Sequence, residues 1–390
     1  MTTFGIDHLL RPDNRSLSTK EWGLVTNDAA TTQNGKKSRI ALIEQDWNIK
    51  CLFSPEHGIA TNGIDGAFQV DRVDPLTNLP VYSLYGTNIS PPEQVLQSLD
   101  GVIFDLPDTG VRFYTYLWTL SHVMEACVNS DKLLLVLDRP NPLSGKLDVI
   151  EGPLLDEANF SSFIGRWRIP IRHSLTLGEL ALYWKNSRLP ELKLEVIPCQ
   201  NWDRNEYFEA LNLPFVPPSP AINFVDTFLT YPALCFFEGL NVNEGRGTSI
   251  PFQQFGAPWI NSESFCHELN KLQISGVNFQ AVNYIPASSR YAGKICQGIR
   301  LHVVDKQSYR PIKTGLLILA HLFMNYPKHI ELDTYPTMVN PSGQLHLDLL
   351  LGNALPTQYL LNNPQVLINE LDDICSASDW REEVEKYLLY

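Results

Sequence analysis

The feature that most constrains the fold is the alternation, up to about residue 204, of short aliphatic runs with segments of helical period. The runs predict strands at 23–27, 49–53, 79–85, 102–106, 133–138 and 194–198. The segments between them predict helices at 38–46, 92–99, 114–128 and 176–186. Thr176, with Glu179 three residues later, is a capping-box sequence for the last helix. Strands that alternate with helices predict an α/β fold with a Rossmann-like parallel sheet covered on both faces.

Polar residues stand where several of these strands end. Asn27 ends the first strand, Glu56 follows the second, Asp105 lies near the end of the fourth, and Arg139 follows the fifth. The carboxyl ends of parallel strands lie on one edge of a sheet. These residues are therefore predicted to meet at a common crevice, although they are far apart in the sequence.

A proline-dense stretch, PFVPPSP at 214–220, is predicted to run extended between two domains because proline cannot occupy a helix interior. The domains are predicted at 1–204, Rossmann-like, and at 205–390, a smaller α/β domain. In the second domain we expect a loop-rich start through Trp259. The predicted elements that follow are a helix at 262–272, strands at 277–284 and 298–304, a helix at 312–325 and a final helix from about 364 to 389.

Composition excludes several functional classes. The net charge of -13, with no run of Lys or Arg, argues against a nucleic-acid partner. The seven cysteines stand singly, which predicts reduced and mostly buried thiols. The sequence contains no stretch of about 18 consecutive apolar residues, so no membrane segment is predicted. No export signal is seen, which predicts cytoplasmic residence; a chain trimmed of a leader would look the same and be periplasmic or secreted. The oligomeric state is open.

The pentapeptide Ser54-Pro55-Glu56-His57-Gly58 places two proton-transfer side chains in a stiff turn after a strand. Pro55 fixes its own φ, and Gly58 lets the chain leave by a route that a Cβ would block. The turn is predicted to hold Glu56 still, as a catalytic carboxyl group. Charged residues in ordinary surface turns are the alternative.

The connection FDLPDTGVRFYTY at 104–116 contains two acids, an arginine and two tyrosines beside a strand and a helix. Asp105, Asp108, Arg112 and Tyr114 could offer a sugar the mixture of hydrogen bonds and aromatic faces that it needs. Alternatively, Asp108 caps the helix and the tyrosines pack in the core.

The glycine-rich loop at 238–248 predicts an anion-binding loop. Arg246 could pair with a carboxylate, and Glu238 and Asn241 are further candidate ligands; an ordinary surface loop is the alternative. The loop matches no phosphate or dinucleotide motif, so no cofactor is predicted. His173 stands alone, which favours a structural histidine. No metal-ligand spacing occurs, and no metal is predicted.

Six motifs in the same order resemble the YbbC/NamZ family: SPEHG at 54–58, FDLPDTGVRFYTY at 104–116, LDRPNPLSG at 137–145, EGP at 151–153, FVPPSP at 215–220 and FEGLNVNEGRGT at 237–248. The resemblance implies a Rossmann-like domain joined to a smaller α/β domain, with the site in the cleft between them. It also implies an exo-β-N-acetylmuramidase, which removes N-acetylmuramic acid from the non-reducing end of peptidoglycan fragments. The chain departs from the family at Pro107, where a glutamine is common.

The resemblance implies that Glu56 is the catalytic carboxyl group. A glutamic acid in a closed, partly apolar cleft can carry a proton to the leaving oxygen near neutral pH. The partner is open between an enzyme carboxylate and the substrate's own acetamido oxygen. The candidate carboxylates are Glu151, Asp105 and Glu238, and His57 would orient Glu56.

For the lactyl carboxylate of the sugar, Arg246 is the first candidate and Arg112 the second. Asn27, Asp108, Tyr114, Arg139, Asn141, His173, Glu238 and Asn241 complete the predicted substrate-binding set. Two other hypotheses remain: a muropeptide-binding protein without catalysis, and an amide or ester hydrolase that acts on amino sugars.

Overall fold

The computed structural model describes residues 1–64, 66–67, 70–334, 340 and 343–390. In this part of the chain seven strands form the larger sheet, in the order β3-β4-β2-β1-β5-β6-β7. They are β1 (Trp22–Val25), β2 (Ile49–Ser54), β3 (Arg72–Val73), β4 (Pro80–Ser83), β5 (Gly101–Phe104), β6 (Leu133–Leu137) and β7 (Lys193–Ile197). All neighbours pair in parallel except β3 and β4, which are antiparallel.

The six strands expected from the sequence are all present, and this confirms the α/β class with a mostly parallel sheet. Alternate residues of one strand lie in different apolar cores: Val102 and Phe104 pack in one, and Ile103 packs in the other. Both faces of the sheet are therefore covered, as a parallel sheet requires. The two-residue strand β3 was missed because it is exposed and lies at an edge.

Helices cover the sheet and connect its strands. Those up to residue 188 are α1 (Gly5–Leu9), α2 (Ser38–Glu44), α3 (Glu93–Gln97), α4 (Tyr116–Asn129), α5 (Glu157–Phe160) and α6 (Leu177–Arg188). The capping box at α6 is confirmed, because the side chain of Thr176 accepts a hydrogen bond from the backbone N–H of Glu179 and the Glu179 carboxylate accepts one in return.

The second domain is built on a three-stranded antiparallel sheet of the described residues, in the order β8-β10-β9. Its strands are β8 (Gln254–Ala257), β9 (Val277–Tyr284) and β10 (Cys296–Val303). Its helices are α7 (Thr227–Leu234), α8 (Ser262–Lys271), α9 (Pro311–Asn325), α10 (His346–Leu351), α11 (Leu355–Asn362), α12 (Pro364–Asn369), α13 (Leu371–Cys375) and α14 (Ser378–Val384), and a 3₁₀ helix, Cys235–Gly239, follows α7. The boundary at residue 204 stays a prediction.

The start of the second domain through Trp259 is rich in loops, as expected, although α7 forms there despite Pro232 in its interior. One expectation for this domain was wrong. The single final helix is divided into short helices, since Ser376 adopts an extended conformation between α13 and α14. After this break Trp380 packs back on the first domain, where its indole N–H donates to the carbonyl of His173 at 3.0 Å.

The stretch at 214–220 contains neither a helix nor a strand, as its prolines predict. Six of the seven cysteines are buried, and all seven are free thiols. Within the described residues, no helix has the length and the apolar character needed to cross a bilayer.

Arg112 fastens three separate segments of the chain. Its Nη1 donates to the carbonyls of Pro153 and Ile169 at 2.7 and 2.9 Å, and its Nη2 donates to the carbonyl of Leu350, in α10, at 3.0 Å. Burial lowers its pKa to about 9, which still leaves the guanidinium charged at neutral pH. Arg112 thus joins α10 of the second domain to the first domain.

Arg112→Met should therefore lower the free energy of unfolding by about 3–5 kcal/mol, because buried carbonyls lose their donors. Denaturant unfolding measures this change. The control is Arg381→Met, which breaks an exposed pair with Asp148 and should cost less than about 1 kcal/mol. Equal small effects in both variants would contradict the structural role of Arg112.

Candidate active site

A cavity that is open to solvent lies between the two domains. The first domain contributes Glu56, His57, Gly66, Tyr85, Phe113, Tyr114, Thr115 and Ile164; the second domain and the segment before it contribute Ser219, Ala221, Ile222, Tyr231, Cys235, Glu238, Arg246, Phe252, His346 and Leu350.

The turn after β2 has the stiff geometry that its sequence predicts. The N–H of Gly58 donates to the carbonyl of Pro55 at 3.0 Å. His57 and Gly58 both have positive φ, at 66° and 71°, and His57 adopts it at a conformational cost that glycine avoids. The imidazole Nδ1 of His57 lies 3.0 Å from the carbonyl of Gly63, a contact that fixes the ring beside Glu56.

Both carboxylate oxygens of Glu56 accept hydrogen bonds. Oε1 accepts from the backbone N–H of Gly66 at 2.9 Å, and Oε2 accepts from the hydroxyl of Thr115 at 2.8 Å. The side chain is 7% exposed. These two hydrogen bonds therefore hold the Glu56 side chain in one position at the wall of the cavity.

Tyr116 joins three parts of the site through its hydroxyl. The hydroxyl accepts from Nδ2 of Asn27 at 3.0 Å and lies 2.7 Å from the carbonyl of Pro218, to which it donates. It also lies 3.3 Å from the backbone carbonyl of Glu56. The end of β1, the turn at 54–58 and the proline-rich segment therefore have fixed relative positions.

On the opposite side, Arg246 binds two carboxylates. Its Nη2 is 2.6 Å from Oε1 of Glu238, and its Nε is 3.0 Å from Oε1 of Glu244. Its guanidinium also lies over the ring of Phe252, 4.8 Å from the centroid. Burial raises the pKa of Glu244 to about 7, although Arg246 opposes this rise. The charge around Arg246 therefore changes near neutral pH.

Aromatic rings and a thiol complete the wall. Tyr231 packs against Phe252, with ring centroids 4.8 Å apart, and faces Tyr114 at 6.3 Å. Burial raises the pKa of both tyrosines well above 10, so their hydroxyls stay neutral donors. The thiol of Cys235 donates to Oε2 of Glu238 at 3.2 Å, and burial raises its pKa too. A sugar ring would meet both apolar faces and neutral donors here.

Of the predicted site residues, the structure brings Glu56, His57, Tyr114, Glu238 and Arg246 together in this cavity. Asn27 supports it from behind, through Tyr116. The other predicted residues lie outside its lining: Asp105, Asp108, Arg112, Arg139, Asn141, Glu151, His173 and Asn241.

Two of the three candidate partners of Glu56 therefore lie outside the cavity lining, where other groups of the protein bind them. Glu151 accepts from the N–H of Lys313 at 2.6 Å, in the first turn of α9, where a carboxylate caps the helix. Asp105 pairs with Nε of Arg139 at 2.7 Å and is fully buried. Only Glu238 of the three lines the cavity.

The side chains of four predicted substrate-binding residues also contact other groups of the protein, outside the cavity lining. Arg112 donates to three carbonyls, as described above. Asn141 donates to the carbonyl of Leu175, and Asn241 donates to that of His329. His173 lies with Nε2 3.5 Å from Oδ2 of Asp108, which makes it a structural histidine. Asp108 and Arg139 line a different cavity.

The sequence reasoning missed Thr115, Tyr231, Glu244 and Phe252. Thr115 and Glu244 stand inside the motifs that were singled out, so their signal was present but unassigned. Tyr231 and Phe252 carry no local signal, since only the packing of α7 and the loop before β8 brings them to the cavity.

Two sequence models of one family cover the chain. The N-terminal and C-terminal models, described as exo-β-N-acetylmuramidase NamZ, match residues 22–226 and 229–390. The chain belongs to the NamZ family. It is 35% identical over 387 residues to the peptidoglycan β-N-acetylmuramidase NamZ of Bacillus subtilis (strain 168), with 99% of this chain and 91% of that protein covered. The family resemblance and the glycosidase class predicted from the sequence are confirmed.

The fold also matches solved structures. Two DUF1343 family proteins of Bacteroides fragilis NCTC 9343 superpose with TM-scores of 0.87 and 0.74, at 28% and 27% identity. Each comparison covers 100% of this chain and 99% of the other. The two-domain architecture of this NamZ-family chain is therefore shared with solved proteins.

Glu151 generates a prediction for stability against pH. Burial raises its pKa from the ordinary 4.5 to about 7. The folded protein therefore binds this proton more tightly than the unfolded chain, and the resulting stability is full below pH about 4.5 and is lost as the pH rises through about 7. Between pH 5 and 8, Glu151→Gln should lose less stability than the wild type, by about 1–3 kcal/mol.

Thermal or urea unfolding across that pH range measures the difference. Glu93→Gln is the control, because Glu93 is exposed and should leave the pH dependence unchanged. A Glu151→Gln profile parallel to the wild-type profile would contradict the assignment.

Proposed function

We propose that this chain is an exo-acting muramidase that releases N-acetylmuramic acid from the non-reducing end of peptidoglycan fragments, with Glu56 as the general acid. The observation that carries the proposal is the Glu56 carboxyl group, held by two hydrogen bonds at the wall of a cavity that also contains Glu238 and Arg246. The activity named for the Bacillus subtilis relative supports the same reaction.

The hydrogen bonds of Glu56 suit an acid that loses its proton during the reaction. In the proposed step the protonated carboxyl donates to the glycosidic oxygen as the bond to the anomeric carbon breaks. The carboxylate that forms then accepts from Thr115 and Gly66, so its charge is stabilised as it develops. These donors are placed before the substrate arrives and need no reorganisation.

The second catalytic role falls to Glu238 or to the substrate. Glu238 is the only one of the three candidate carboxylates in the cavity, and its Oε1 lies 2.6 Å from Nη2 of Arg246. It could act as base or nucleophile. The acetamido oxygen of the sugar is the alternative nucleophile. The configuration of the first-formed product distinguishes inversion from retention.

Recognition of the lactyl carboxylate is assigned to Arg246, the one arginine or lysine among the described residues of the cavity lining. Glu238 and Glu244, the acidic neighbours of Arg246 among the described residues, oppose this role when both are ionised. With its pKa near 7, Glu244 can carry a proton and so weaken its own contact with the guanidinium. The anionic sugar should therefore bind best when Glu244 is protonated.

Product analysis with the disaccharide MurNAc-GlcNAc tests the proposed reaction. The wild type should release both sugars, and Glu56→Gln should turn over about 10²–10⁴-fold more slowly because the proton donor is lost. Glu93→Gln is the control. Release of acetate or lactate without a new reducing end, or equal rates in Glu56→Gln, would overturn the proposal. An oligomer blocked at its non-reducing end should not be cut if the action is exo.

The role of Glu244 predicts a pH effect that depends on the substrate. Above pH about 7 the KM for a MurNAc glycoside should rise several-fold, because ionised Glu244 competes for Arg246. The matched GlcNAc glycoside lacks the lactyl carboxylate, and its KM or inhibition constant should not follow this change. If both sugars show the same pH profile, Arg246 does not bind the lactyl group.

A further inference from the structure

A second cavity, open to solvent, lies at the point where the strand order of the larger sheet reverses. β1 pairs with β2 on one side and with β5 on the other, and the cavity is lined by residues that follow β1, β5 and β6. Thr31 lies in the connection after β1, Asp108 in the one after β5, and Arg139 in the one after β6. Open α/β sheets bind ligands in the crevice at this position, yet the proposed reaction uses the other cavity.

The proline-rich segment separates the two cavities. Phe215, Val216 and Pro218 line the second cavity, whereas Ser219 and Ala221 line the catalytic one. The hydrogen bond from the Tyr116 hydroxyl to the carbonyl of Pro218 fixes this wall. A ligand in the second cavity would therefore be on the other side of the segment from Glu56.

The second cavity has one donor and one acceptor with unused capacity. Arg139 donates through Nε to Asp105 and through Nη2 to the carbonyl of Thr31, and its Nη1 makes no hydrogen bond within the described residues. Asp108 is 7% exposed and accepts from the N–H of Gly110 through Oδ2. Its Oδ1 is buried and has no hydrogen-bond partner in the described part of the chain. Such atoms favour a ligand that satisfies them.

The charges and the apolar lining select the class of ligand. The carboxylate of Asp105 already balances the positive charge of Arg139. An anionic ligand would therefore be repelled by the carboxylate of Asp108, with no unpaired positive charge among the described lining residues to balance this repulsion. A neutral amide supplies one N–H for Asp108 and one carbonyl for Arg139. The rings of Phe208, Phe215 and Phe228 pack together, with centroids 5.7–6.1 Å apart, and offer apolar faces to C–H groups.

We propose that the cavity at the strand-order reversal is a second binding site, for a neutral N-acetylated pyranose of the N-acetylglucosamine type. The acetamido group binds between Asp108 and Arg139, and the ring packs on the phenylalanine faces. The enzyme then holds a neutral amino sugar outside its catalytic cavity, as a separate ligand.

Calorimetric titration with N-acetylglucosamine, and with glucose as the ligand that lacks the acetamido group, tests the proposal. The wild type should bind N-acetylglucosamine with a Kd in the millimolar range or below, and glucose at least tenfold more weakly. Val216→Trp fills the second cavity and should weaken the binding of N-acetylglucosamine at least tenfold. Its turnover of a chromogenic MurNAc glycoside should stay within about twofold of wild type.

Ala221→Phe is the matched control, five residues further along the same segment but facing the catalytic cavity. It should reduce turnover and leave N-acetylglucosamine binding intact. Phe215→Ala removes an aromatic face and gives a second test if Val216→Trp does not fold, as judged by its Tm. Loss of binding only in Ala221→Phe, or no binding to wild type at about 10 mM, would overturn the proposal. The titration does not depend on turnover, so it fails separately from the proposed reaction.

Discussion

The site depends on the hydrogen bonds made by two consecutive residues at the start of α4. The hydroxyl of Thr115 holds the carboxylate of Glu56, and the hydroxyl of Tyr116 contacts the backbone of the same residue and the proline-rich segment. A helix is a rigid support, so a carboxyl group bound to its first turn is placed more accurately than one on a free loop. These contacts hold the turn at 54–58 in its conformation, which includes the costly positive φ of His57.

The second domain contributes the charge balance of the cavity. Glu238 and Arg246 come from the 3₁₀ helix after α7 and from the following glycine-rich loop, and neither could meet Glu56 without the contact between domains. Arg112 stabilises that contact by binding carbonyls on both sides. These contacts show how an arginine inside a motif singled out from the sequence can have a structural role, because buried carbonyl dipoles satisfy its charge.

The larger sheet could be predicted from the sequence because each parallel strand is a short apolar run with its own turn signal, as β5 and β6 show. The division of the helices near the end of the chain could not be predicted, because no proline or glycine marks the break at Ser376 in the sequence. Glu56 was found because its turn has a local signature. The prediction placed Glu151 and Arg112 in the site because the sequence of a motif does not show whether a polar residue faces a cavity or binds the backbone of another segment.

The absence of a local sequence signal also explains why Tyr231 and Phe252 were missed, since only tertiary packing brings them to the cavity. A sequence shows which residues can carry chemistry, but the direction of each side chain depends on contacts between segments that are far apart. The three candidate carboxylates illustrate this point: two are bound by partners within the protein, and Glu238 alone faces the cavity with Glu56.

The central claim is that Glu56 donates the proton to the leaving oxygen, and the dependence of rate on the leaving group tests it most directly. The measurement compares Glu56→Gln with wild type on MurNAc-GlcNAc, whose leaving group needs a proton, and on the para-nitrophenyl glycoside, whose leaving group needs little help. Our account predicts a loss in kcat/KM at least tenfold larger on the disaccharide. Equal losses on both substrates would contradict it, because Glu56 would then act on the sugar rather than on the leaving oxygen.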